Sequence, residues 1–277
     1  MIAALFGGVP RHRAERFFPF MGRRITVSSR RKPSWFSELI MTIGIAVLVA
    51  LVFRTFAFEP FNIPSKSMEP TLLVGDFIFV SKYSYGYSHQ SLPLSPHLFD
   101  GRLFGSAPKR GDVVVFKVPL DHNVDYIKRL VGLPGDHIQV IHRILYINGK
   151  PAARRQIDDF FDPNTGYGGV KRYEQYIETL PGGRPHMILQ TPGEEQPIAD
   201  NTPEFVVPDH CYFMMGDNRN NSQDSRYPTP VGFVPEEDLI GRAEIRFMSI
   251  DPDVAHFWEF WEWPWAVRFS RLMSRLV

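Results

Sequence analysis

The chain has one cysteine, Cys211, in 277 residues. It can form no internal disulfide, so cysteine usage leaves the compartment open. Set in the apolar run Cys211-Tyr212-Phe213-Met214-Met215, it reads as a buried structural thiol. Also missing are an H-E-x-x-H pair, a Cys/His cluster, a P-loop and a G-x-S-x-G elbow. Metal, nucleotide and hydrolase-elbow chemistry therefore lack their signatures, and neither a metal nor a cofactor is expected. Acids are scarce in the first 33 residues: Arg11, Arg13, Arg16, Arg23, Arg24, Arg30, Arg31 and Lys32 face only Glu15, a net of +7. The other 244 residues carry 23 basic and 29 acidic groups, a net of −6, so the overall +1 conceals a split. Such a basic block could bind nucleic acid. It has no patterned fold, however, and leads into an apolar run, so membrane lipid is the expected partner and nucleic acid is not.

That apolar run, 39–58, has one charge, Arg54, near its far end. At ~1.5 Å per residue it covers ~30 Å, the thickness of a hydrocarbon core. A cleaved signal peptide would have a shorter apolar core and a small-x-small site after it, which Phe56-Ala57-Phe58-Glu59-Pro60 does not offer. The positive-inside rule puts the arm 1–38 in the cytoplasm, makes 39–58 a single span, and leaves everything after Glu59 outside.

From residue 60 onward the pattern is strand-like. The runs 76–82, 113–118, 125–131, 137–147 (two short strands), 212–215 and 240–247 are β-branched and aromatic, with Gly/Pro punctuation between them. No long amphipathic helical stretch interrupts 60–248. The expected fold class is mostly β: a β-rich domain over 59–150 and 209–250, with a smaller β domain inserted at 151–208. The insertion is polar and Gly/Pro-rich, with a hairpin signal at 179–183. Residues 84–108 read as an ordered loop. The tail 251–277 mixes Trp258, Trp261, Trp263 and Trp265 with Arg268, Arg271 and Arg275. That composition suits either a membrane interface or packing on the β domain.

Three segments remain for chemistry: 63–70, 125–136 and 216–226. Ser67 lies between Pro64 and Pro70, within roughly 30 Å of the membrane surface even for an extended chain. Lys128 stands in an apolar run, with strand alternation placing Tyr126, Lys128 and Leu130 on one face. It is either a strand lysine with a solvated head or a buried amine forced toward neutrality. In water, lysine with a pKa near 10.4 leaves about one molecule in 2,500 uncharged at pH 7, a gap of ~4.6 kcal/mol. Burial can remove that gap, and a neutral Lys128 could then take the proton of Ser67. The Ser67 amide and the Ser65 hydroxyl are candidate oxyanion donors. Lys66 is adjacent to Ser67 and points away from it in an extended segment, which excludes it as the base.

In this order behind an apolar anchor, the three segments resemble the bacterial signal peptidase I (leader peptidase) family over about 60–150 and 209–247. The string Pro64-Ser65-Lys66-Ser67-Met68-Glu69-Pro70 carries much of the likeness. The resemblance implies a Ser67 nucleophile, a Lys128 base and Ser65 as side-chain oxyanion donor. It further implies that Ser222 orients the lysine, that Asp224 with Arg129 and Arg226 braces the site, and that Asp217 and Asn218 support it. Ile63, Met68, Tyr126 and Ile127 match positions lining pockets for small side chains. The implied substrates are secreted preproteins cut after small-x-small sites, on the periplasmic side of the bacterial inner membrane. The single span, the insertion and the aromatic tail depart from the pattern.

Three other readings compete. A Ser-His-Asp hydrolase would use His122, His137 or His210. A self-cleaving Ser–Lys regulatory protease would need no added substrate. A membrane-tethered binding domain would be indifferent to Ser67 and Lys128.

Overall fold

The structure is a computed structural model that describes residues 34–92, 99–163, 169–193, 196, 198–256 and 258–276. The basic residues of the arm 1–38 lie outside this set.

Helix α1, Trp35–Phe56, starts four residues before the apolar pattern does. Ser34 caps it: the Ser37 amide donates to Ser34 Oγ at 3.3 Å and the Glu38 amide to Ser34 O at 3.1 Å. The helix ends two residues earlier than expected, because Phe58–Asn62 leaves as strand β1, in which Pro60 cannot extend a helix. None of its residues is buried, and it is long and apolar enough to cross a bilayer. Arg54, in its last turn, meets Glu59 at 2.8 Å.

The rest is mostly β. After β1 come β2 (Asp76–Ser81), β3 (Val113–Val118), β4 (Asp121–Gly132), β5 (His137–Ile141), β6 (Ile144–Ile147), β7 (Lys150–Pro151) and β8 (Ala153–Gln156). Then follow β9 (Phe160–Asp162), β10 (Lys171–Thr179), β11 (Pro185–Gln190), β12 (Phe205–Val206), β13 (Cys211–Met215), β14 (Val234–Pro235), β15 (Leu239–Ser249) and β16 (Ser274–Arg275). An eight-stranded sheet runs β1-β2-β15-β3-β4-β13-β14, with β16 added to β15. A second sheet joins β12, β5, β6 and β7. A third holds β8 to β11, and its β10–β11 pair closes through the hairpin expected at 179–183.

The long run in β3 has a structural reason. Val113 and Val115 enter one core cluster with Ile63, Met68 and Ile78, while Val114 and Phe116 enter another with Leu130 and Met214. A strand buried on both faces reads as continuous rather than alternating hydrophobicity. Among the described residues β1 pairs only with β2, and 121–128 of β4 pairs only with β3, so both keep an open edge.

The tail packs and protrudes at once. Ala266 is buried with Ile250 and Ala255, and β16 pairs with β15. Trp258, Phe260, Trp261, Trp265 and Phe269 stay more than half exposed. Cys211 is half-buried against the cluster around Phe213, and burial pushes its thiol up.

Candidate active site

Ser67 lies in a short 3-10 turn, Lys66–Met68, pinned from beneath by the buried side chains of Met68 and Leu72. Lys128 comes from β4, where exposure falls steadily along the strand toward Gly132. The two meet: Lys128 Nζ is 2.8 Å from Ser67 Oγ, and the side chains are 4% and 7% exposed. The amine also lies 3.0 Å from Ile127 O and 4.8 Å from the Tyr126 ring centroid. The solvated-head alternative for Lys128 therefore fails. Burial pushes the amine from 10.5 down to about 8, although the Asp224 and Asp217 carboxylates pull the other way.

Ser65 Oγ is 3.2 Å from Ser67 Oγ. Ile63, Met68 and Ile127 pack in one cluster, and Tyr126 belongs to the other, its hydroxyl donating to Gln223 Oε1 at 3.3 Å. The segment 216–226 closes the site from a third side. The Asn218 amide donates to Ser67 O at 3.1 Å. Arg226 forks onto Asp224 at 2.9 and 2.8 Å. Arg129 forks onto Asp217, at 2.8 and 2.7 Å. Burial alone would raise both acids, but the guanidinium beside each outweighs it and holds the carboxyl below its ordinary range. The Ser222 hydroxyl is buried in the same place but makes no hydrogen bond to Lys128 Nζ.

Several residues have contacts here that the sequence did not indicate. A Cβ at Gly216 would clash with Ser222 and stand 2.6 Å from Ser67 O, so the close approach requires glycine. Thr71 Oγ1 donates to Asp217 Oδ2 at 2.5 Å. Lys66, rejected as a base, pairs with Asp162 of β9 at 2.5 Å, which ties the Ser67 turn to the third sheet. Glu69, buried beside Asp162, is pushed up to about 7. The histidines lie elsewhere: His122 pairs with Asp238, His137 with Glu204 and His210 with Glu236.

The profile of the family described as signal peptidase, peptidase S26, matches residues 36–248. The chain belongs to that family. A signal peptidase I of Rickettsia prowazekii (strain Madrid E) is 40% identical over 247 residues, covering 83% of this chain and 90% of the relative. One of Rickettsia canadensis (strain McKiel) is 43% identical over 209 residues, covering 73% and 76%. A solved signal peptidase I from Enterococcus faecalis V583 is 27% identical, covers 50% of this chain and 97% of that one, and has a TM-score of 0.29. Membership in the signal peptidase family makes the protein a serine peptidase, and it rests on the sequence matches.

Proposed function

We propose that the protein removes signal peptides from preproteins through a Ser–Lys dyad, with Ser67 as nucleophile and Lys128, uncharged, as general base. The 2.8 Å contact between Lys128 Nζ and Ser67 Oγ, with both groups buried, carries this reading. At a pKa of about 8, about one amine in ten is uncharged at pH 7, against about one in three thousand at 10.5. The neutral amine accepts the hydroxyl proton as Ser67 Oγ attacks the scissile carbonyl carbon. The resulting ammonium returns that proton to the leaving amine, and the same nitrogen then activates the water that hydrolyses the acyl-enzyme. The Ser65 hydroxyl and the Ser67 amide receive the oxyanion.

The open edges of β1 and 121–128 suit an extended substrate adding as a strand. Ile63, Met68, Tyr126 and Ile127 stand where its small side chains would sit, favouring cleavage after small-x-small sequences. Asp217 with Arg129 and Asp224 with Arg226 hold the walls, and Asn218 fixes the Ser67 carbonyl. Ser222, buried where Gly216 approaches the Ser67 carbonyl, helps to shape the site around the dyad. α1 anchors the chain in a bacterial inner membrane, with the basic N-terminal arm cytoplasmic and the β-rich part outside. The exposed tail aromatics meet the lipid interface.

Preprotein cleavage by wild type, Ser67→Ala and Lys128→Ala tests the dyad. Both variants are expected to lose at least about 10³-fold in kcat. Substantial activity in either one would end the assignment.

A further inference from the structure

A cavity of about 390 Å³ opens beside the Ser67 turn. Its floor includes Thr71, four positions after Ser67. The β10–β11 hairpin supplies Ile177 and His186 on one side, and Arg246, Arg271 and Arg275 line the other. Of the carboxylates around this space, Glu178 and Asp217 are already paired with Arg219 and Arg129, which leaves the three lining guanidinium groups facing Asp76, 2.6 Å from Arg271 and 3.4 Å from Arg246. Arg275, on the cavity wall, is exposed. His186 is only 6% exposed; its Nε2 stands 3.4 Å from Glu178 Oε2, and its Nδ1 makes no hydrogen bond. A surplus of positive charge next to an unsatisfied buried ring nitrogen, in a cavity that is otherwise partly apolar, fits a carboxylate-bearing group.

The course of the chain indicates which carboxylate. β1 begins at Phe58, just past the helix end at Phe56, and leads toward Ser67. A larger cleft of about 740 Å³ lies at that same helix end, lined in part by Leu51, Thr55, Phe61 and Asn123. A substrate whose signal part is held in the membrane approaches from this side. The residues beyond the cut are then delivered past Ser67 toward Thr71. We propose that the arginine-lined cavity is a subsite for an acidic side chain in the first few residues after the cut. This rests on the signal-peptide reading above and adds to it a preference in the mature segment.

The test uses the full-length protein in detergent and a preprotein series carrying Asp, Asn or Lys at each of the first few mature positions. At one or more positions wild type should favour Asp over Asn by about three- to tenfold in kcat/KM, mostly through KM, and less so at high salt. Arg275→Glu should abolish that ratio and favour Lys instead. Arg155→Gln, an exposed arginine on β8, should keep it. Equal rates for Asp and Asn in wild type, or an acidic preference that survives Arg275→Glu, would overturn the subsite while leaving the dyad intact. The absence of any Ser67-dependent cleavage would remove both.

Discussion

An amine that serves as a base must be buried enough to shed its proton, and that burial works against the folded state. For Lys128 the folded value of about 8 lies below the ordinary 10.5. Between these values the unfolded chain binds more protons, so stability rises with pH across that window, and below about 8 the full deficit persists. At pH 7 it amounts to about 3 kcal/mol before the hydrogen bond to Ser67 is counted. Lys128→Met should therefore abolish cleavage yet raise Tm by a few degrees at pH 7, with the gain vanishing above about pH 10.5. Scanning calorimetry at the two pH values checks this, and an unchanged or lowered Tm at pH 7 counts against a desolvated amine. Cleavage by wild type should climb about tenfold per pH unit below 8 and level off above it. Ser67 and Lys128 were legible in the sequence because residue type, order and nearness to the apolar run converge on them. The state of Lys128 was not, since an apolar strand run is compatible with a solvated head. Nor could spacing tell which acid Arg129 would take, because Asp217 and Asp224 lie in one short segment.

Single strands could be read from composition, but their partners could not. β15, near the end of the chain, sits between β2 and β3, so the main sheet depends on a pairing across more than a hundred residues. β1 was missed because Glu59 and Pro60 obscure its pattern. The third sheet contributes more than its polar sequence suggests, because it grips the site at two points. Lys66 meets Asp162 of β9, and Arg219 of the 216–226 segment forks onto Glu178 of β10. Burial would raise Glu178, yet Arg219 and His186 beside it outweigh that and hold its carboxyl at about 2. Its contribution to stability is complete above about pH 4.5 and disappears as pH falls toward 2. Glu178→Gln leaves the Arg219 charge buried and unpaired, and should cost about 3 kcal/mol or more at pH 7. Urea unfolding of the variant checks this; a loss under 1 kcal/mol would mean that Arg219 finds another partner.

At the scale of the whole molecule, two apolar features among the described residues lie outside the cores: α1 and the aromatic tail. The sequence left the tail divided between packing and lipid, and packing accounts for part of it. Ala266 and β16 fasten it, while five large aromatics project from it. An exposed patch of Trp and Phe is costly in water and suited to the headgroup region. Removing the tail outright would also strip Arg271 from the buried Asp76, so surface substitution is the cleaner probe. With Trp35→Phe in place, the remaining tryptophans are Trp258, Trp261, Trp263 and Trp265. In proteoliposomes, lipids brominated near the headgroup should quench their fluorescence strongly, and a water-soluble quencher only weakly. Trp258→Ser, Trp261→Ser and Trp265→Ser combined should slow cleavage of a membrane-embedded preprotein several-fold. Cleavage of a short soluble peptide should be spared, because that substrate needs no contact with the bilayer. Quenching by the aqueous agent alone, or equal slowing of both substrates, would assign the patch to a protein partner or to folding instead of the bilayer.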